Sequence, residues 1–149
     1  MVNVSDKAPD FTLKNENEED VSLSQYRGKN VLLCFFPFAF SPVCTVEMSC
    51  FKDDFDEFRN LDVQILAISV DSHYSLAAFK KSLSANDVTF LSDFSKEVSR
   101  KYGVLRPEGK SERAYFLIDK DGVVRWKHVM PSPGTRLENE DLLKAIKNA

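Results

Sequence analysis

The chain is poor in the residues that punctuate or staple unusual architectures. It has five glycines and six prolines among 149 residues, too few for a collagen-like, low-complexity or disordered chain. Cysteine occurs three times, at Cys34, Cys44 and Cys50. An odd count with no Cys-x-x-Cys pair indicates neither a disulfide framework nor a dithiol oxidoreductase site; position 47, where Cys44 would need its partner, is Glu. The two histidines, His73 and His128, show no zinc-type spacing with each other or with the cysteines, so no metal site is expected. There is no basic block: 20 Lys and Arg stand against 23 Asp and Glu, a net charge of −3. A nucleic-acid binder needs a concentrated positive face, so that class is disfavoured. No apolar run reaches the roughly 18 residues of a membrane span. The longest uncharged stretch, 31–46, is interrupted by Pro37, Ser41 and Pro42. The first six residues carry no basic region and no apolar stretch, so no export signal is expected. With unpaired cysteines, the expected location is a reducing cytoplasm.

What the chain does have is a globular composition, 43% hydrophobic and 29% charged, and a length that suits one domain over 1–149. Residues 8–13 read as a short extended lead-in, 15–20 as a polar turn and 21–23 as a second strand, followed by one helical turn. The unbroken apolar run 31–36 suits a central strand buried on both faces. From 42 to 59 the period changes: Cys44, Met48, Phe51, Phe55 and Phe58 recur at steps of four, three, four and three, one face of a helix. Residues 63–70 read as a second buried strand, and Ser72 as the N-cap of a helix to about 84. A short strand at 88–91 precedes a helix capped by Ser95 and stopped by Gly103. Strands 114–118 and 123–129 flank Asp119-Lys120-Asp121-Gly122, a hairpin signal, and 138–147 reads as a terminal helix. This order predicts an α/β fold: a central mixed sheet with helices on both faces.

The stretch between the first buried strand and the long helix concentrates the chemistry. Cys44 falls in a first helical turn, where unsatisfied N–H groups and the helix dipole favour a thiolate, the nucleophilic form. It also lies on the apolar face of its helix. Position alone leaves two readings open, a small core residue or an activated nucleophile. Pro42 suits the first helical position, where its missing N–H costs nothing. Ser41 reads either as an N-cap or as a hydroxyl for a substrate.

Pro37-x-x-x-Ser41-x-x-Cys44 resembles the active-site signature of the peroxiredoxins, thiol peroxidases of thioredoxin-like fold. The resemblance extends through Ala8-Pro9-Asp10-Phe11, the 31–36 strand, Ala67-Ile68-Ser69-Val70-Asp71, Leu91-Ser92-Asp93, Tyr102-Gly103-Val104 and the block from Arg113 to Asp119. The run 36–40 with Glu47 looks most like the alkyl hydroperoxide reductase E and bacterioferritin-comigratory branches. The resemblance implies that Cys44 attacks a peroxide oxygen and becomes a sulfenic acid. It implies that backbone N–H groups of Val43 and Cys44 and the Ser41 hydroxyl hold the peroxide. Arg113 would donate to the sulfur and the developing charge, Glu47 would orient Arg113, and Pro37 would pack over the cysteine and limit water. Outside the resemblance, Arg113 reads as a solvated strand-end charge and Glu47 as a first-turn acid favoured by the dipole.

Ionisation cannot supply the rate alone. Lowering a thiol pKa from about 8.5 to about 6 raises the thiolate fraction at neutral pH about 30-fold, and nucleophilicity falls with pKa. Donors aimed at the breaking O–O bond must supply the remainder.

Cys34, inside a strand, reads as a buried core thiol. Cys50 is a candidate resolving cysteine, displaced by one position from that of the bacterioferritin-comigratory relatives, which here is Ser49. Six helical residues separate it from Cys44 by about 9 Å of rise, beyond the roughly 7 Å reach of a disulfide. The expected mechanism is therefore one-cysteine, without a cofactor, and an external thiol (a thioredoxin- or glutaredoxin-like protein, or a small thiol) reduces the sulfenic acid. No cysteine-bearing C-terminal arm of the two-cysteine type is expected after the last helix. Two alternatives stand: resolution through Cys50 after helix unwinding, and a non-enzymatic redox sensor or chaperone that uses Cys44. Relatives are commonly dimers, and Phe40 and Tyr74 are candidates for such a face. Phe38 and Phe40 would make an apolar mouth suited to organic peroxides.

Overall fold

The computed structural model describes residues 2–132 and 134–149. Strands β1 (Thr12–Asn15), β2 (Asp20–Ser22), β3 (Asn30–Phe35), β4 (Val63–Ser69), β5 (Thr89–Ser92), β6 (Ala114–Ile118) and β7 (Val124–Val129) form one sheet in the order β2-β1-β5-β4-β3-β6-β7. β3, β4 and β5 run parallel and the remaining pairings are antiparallel. Helices α1 (Pro42–Asp53), α2 (Phe55–Asn60), α3 (His73–Leu83), α4 (Glu97–Lys101) and α5 (Asn139–Asn148) complete the fold, with a 3-10 turn at Leu23–Tyr26. The mixed sheet and two-faced arrangement follow the expectation.

The apolar run of β3 divides by strand alternation. Leu32, Cys34 and Phe36 join one core with residues of α1, α2, α3 and α5. Val31, Leu33 and Phe35 join the other, with Phe11, Val98 of α4, Tyr102 and Phe116. The 119–122 hairpin forms as read, with Gly122 in the left-handed region at φ +82 and its N–H donating to the Asp119 carbonyl at 3.0 Å.

Two local expectations need correction. The helix read over 42–59 breaks at Asp54 into α1 and α2. Asn139 of α5 donates its amide to both the Cys50 carbonyl (2.8 Å) and the Asp54 carboxylate (2.9 Å), so a tertiary partner ends α1 where the apolar period would continue it. Phe51 and Phe58 still face the same core, edge to face at 5.6 Å. Ser95 does not cap α4. The buried Asp93 takes that role, accepting from Val98 N (3.1 Å) and Ser99 N (2.7 Å). Ser72 caps α3 as read, accepting from Ser75 N at 3.2 Å.

Candidate active site

The loop from β3 to α1 is held from outside. Asp71, just beyond β4, accepts from Ala39 N (2.8 Å) and from Ser69 Oγ (2.7 Å). Phe40 takes a left-handed conformation at φ +66, which turns the chain into α1. Pro37 is buried. Ser41 occupies the N-cap position without capping; its Oγ donates to the Phe38 carbonyl at 2.8 Å. The first intrahelical bond runs from Thr45 N to Ser41 O at 2.9 Å. Val43 and Cys44 therefore hold the second and third helical positions, whose N–H groups precede that ladder.

Cys44 and Glu47 lie one turn apart on the inner face of α1, both buried. Arg113 reaches them from the other side of the fold. The β3–β6 register pairs Phe35 with Ala114, and Ser111 Oγ donates to the Phe36 carbonyl at 3.0 Å. The chain just before β6 thus lies beside the end of β3 where the Cys44 loop begins. Arg113 Nη2 donates to Cys44 Sγ at 2.9 Å, and Nη1 donates to Glu47 Oε1 at 2.6 Å. Arg113 and Glu47 are each only 1% exposed. Burial opposes the guanidinium charge, but the Glu47 carboxylate and the Cys44 sulfur outweigh it and hold Arg113 above its ordinary value. An ion pair this deeply buried costs much of its own attraction in desolvation, so stability alone does not explain it.

Two further groups meet Glu47. The Tyr115 hydroxyl donates to Oε2, and the Cys34 thiol lies 3.6 Å from Oε1. Burial first, and then the Glu47 carboxylate, push the Cys34 thiol well up. Cys34 is buried, as its place in the strand implied, yet it also touches the site. Tyr115 and Asp71 were missed by sequence reasoning. The signal for Tyr115 was a polar-tipped aromatic inside an otherwise apolar strand, since a buried phenol needs a partner.

The structure brings Cys44, Glu47 and Arg113 into one contact chain. Phe38 and Phe40 sit exposed on the loop, Phe40 against Phe79 at 5.1 Å and Phe38 beneath the Lys110 amine at 5.8 Å. Cys50 is half-buried towards the far end of an unbroken α1. Among the described residues, no group of three or more His, Cys, Asp or Glu could hold a metal ion.

A thioredoxin-like sheet presenting a buried cysteine at a helix start, with an arginine on its sulfur, defines a thiol-based oxidoreductase. Residues 4–127 match the AhpC/TSA family. A peroxiredoxin of Thermoplasma volcanium is 36% identical over 147 residues, 95% of this chain and 71% of the relative. The mitochondrial thioredoxin-dependent peroxide reductase of Mus musculus is 36% identical over 154 residues, 97% of this chain and 60% of that one. Among solved structures, the reduced 2-Cys peroxiredoxin of Plasmodium vivax superposes with a TM-score of 0.89 at 32% identity, covering 99% of this chain and 81% of its own. Peroxidoxin BcpB of Mycobacterium tuberculosis superposes with a TM-score of 0.88 at 26% identity, covering 99% and 98%. The chain belongs to the AhpC/TSA family: it is a peroxiredoxin, a thiol-dependent peroxidase.

Proposed function

We propose that the chain reduces hydrogen peroxide and organic hydroperoxides by a one-cysteine mechanism at Cys44. The observation that carries this reading is the 2.9 Å contact between Arg113 Nη2 and Cys44 Sγ. The Cys44 thiolate attacks one peroxide oxygen; the S–O bond forms as the O–O bond breaks. The departing oxygen takes a proton and leaves as water or an alcohol, and Cys44 becomes a sulfenic acid. The N–H groups of Val43 and Cys44 hold the peroxide. Ser41, whose proton is directed to the Phe38 carbonyl, accepts from the peroxide O–H. Arg113 stabilises the charge developing on the leaving oxygen, Glu47 orients Arg113, and Pro37 limits water. Two external thiols then return Cys44 to its thiol, releasing one water and one disulfide. The mouse relative is a thioredoxin-dependent peroxide reductase, which supports a thioredoxin-like protein as the donor. Phe38 and Phe40 form an apolar rim that favours organic peroxides, and the assembly is a homodimer in which Phe40 and Tyr74, 56% and 73% exposed, are covered.

Resolution through Cys50 is disfavoured because α1 is continuous from Cys44 to Cys50 and its end is tied to Asn139. The test is stopped-flow oxidation of a Cys34→Ser, Cys50→Ser double variant. A single fast second-order step at Cys44 is expected. In the unaltered chain, one equivalent of peroxide should add about 16 mass units, whereas a loss of about two would mean an internal disulfide. Sustained turnover with a thiol reductant separates an enzyme from a sensor, which is oxidised once and stops.

A further inference from the structure

The reaction described above gives no role to Tyr115, one of the two further groups that meet Glu47. Tyr115 stands opposite Cys34 in the β3–β6 ladder, and both face the core that holds α1. Its hydroxyl donates to Glu47 Oε2 and accepts the Leu137 N–H at 3.2 Å. A phenol carries a single proton. With the Leu137 amide occupying an acceptor direction, that proton is aimed at Glu47. Arg113 holds the other carboxylate oxygen at 2.6 Å. A carboxylate gripped at both oxygens cannot turn without breaking a buried hydrogen bond to a charged group, the costly kind. A phenylalanine at position 115 would fill nearly the same volume; the hydroxyl adds the contacts to Glu47 and Leu137.

We propose that Tyr115 is a positioning residue of the peroxidase reaction: through Glu47 it holds the Arg113 guanidinium in the orientation that meets Cys44 and the bound peroxide. Leu137, at the approach to α5, sets the direction of the hydroxyl, so the C-terminal segment takes part in the site. Burial first, and then the neighbouring Cys34 and Glu47, push the phenol well above its ordinary value, which keeps it a neutral donor at any pH used for assay. The inference rests on the reading of Cys44 and Arg113 given under the proposed function.

The test compares two reactions of Cys44 in a Cys50→Ser background: oxidation by hydrogen peroxide and alkylation by iodoacetamide. Both consume the thiolate, but only the first breaks an O–O bond that an aimed guanidinium stabilises. Tyr115→Phe should slow oxidation about tenfold, the scale of losing a hydrogen bond to a buried charge, and slow alkylation much less, since alkylation senses only the Arg113 contact with the sulfur. In a Glu47→Gln background the same substitution should cause no further loss of the oxidation rate, because its path to Arg113 is already cut. The role is overturned by an unchanged oxidation rate, by an equal fall in both reactions, or by a full additional loss in the Glu47→Gln background. It is also overturned if the variant does not fold, which would assign Tyr115 to the core alone. A Cys44 that peroxide leaves unoxidised before any change at Tyr115 would instead defeat the proposed function itself.

Discussion

Arg113 serves two acceptors through two different nitrogens, the Cys44 sulfur through Nη2 and the Glu47 carboxylate through Nη1. A guanidinium can do this because its donors fan from a rigid plane; an ammonium is a compact point charge on a flexible stem. Arg113→Ala should therefore slow Cys44 oxidation by at least about 100-fold, the scale of losing a donor aimed at developing charge. Arg113→Lys should recover only part of that rate. Loss of the cation leaves the buried Glu47 carboxylate without a countercharge, at a cost of about 3–5 kcal/mol, so rates are compared where circular dichroism shows the variant folded. Stopped-flow oxidation set against alkylation of the same thiol is the check. A loss no larger than the change in thiolate fraction would falsify the role of Arg113 at the breaking bond.

Among the elements, α1 bears most directly on the proposed one-cysteine mechanism. It runs without a break through Cys44 and Cys50, and the Asn139 amide clamps its last turn by bonding the Cys50 carbonyl and the Asp54 carboxylate. Disulfide formation needs the two Cα atoms within about 7 Å, and an intact helix holds residues six apart at a rise of about 9 Å. Asn139→Ala should lower stability by about 1–2 kcal/mol, read from the urea midpoint, because two partly buried acceptors each lose a hydrogen bond. It should also divert part of the peroxide-oxidised protein into a Cys44–Cys50 disulfide, seen as a product lighter by about two mass units. An oxidised variant that shows only the sulfenic acid would mean that α1 stays closed without its clamp.

For the whole molecule, the buried acids of the core set its response to alkaline pH. Cys34, Tyr102 and Tyr115 are all pushed up, burial being the largest cause in each. Each keeps in the folded state a proton that the unfolded chain releases. Their contribution is fully present below the unfolded values and is lost as pH rises past them, from about 8.5 for the thiol and about 10 for the phenols. Stability should accordingly be level towards pH 8 and fall above it, by up to about 1.4 kcal/mol per pH unit for each group in turn. Urea midpoints from pH 7 to 10.5 in reductant would show this, and Cys34→Ala should remove the earlier part of the decline. A level midpoint between pH 8.5 and 10 in the unaltered chain would contradict it.

Local features were legible in the order of residues. The β3 run, the α3 cap at Ser72, the 119–122 hairpin and the placement of Cys44 in a first helical turn all depend on neighbours within a few positions. Arg113 read by itself was a strand-end charge, and only its resemblance to a family block marked it for the site. The break at Asp54, the capping of α4 by Asp93 and the meeting of Tyr115 and Cys34 at Glu47 were not legible. Each depends on a partner outside the local pattern: a side chain from another helix, a buried carboxylate four residues before its helix, or the register of two strands whose paired residues lie far apart in the chain. By itself the sequence determined which segments form helices and strands and that Cys44 stands in a first helical turn, because those follow from hydrophobic period and turn chemistry; only the resemblance to a family signature singled out its sulfur as the candidate nucleophile. Tertiary structure alone decided which donors surround the buried Glu47 carboxylate, because a desolvated charge takes its partners from whatever the packing brings within hydrogen-bond reach.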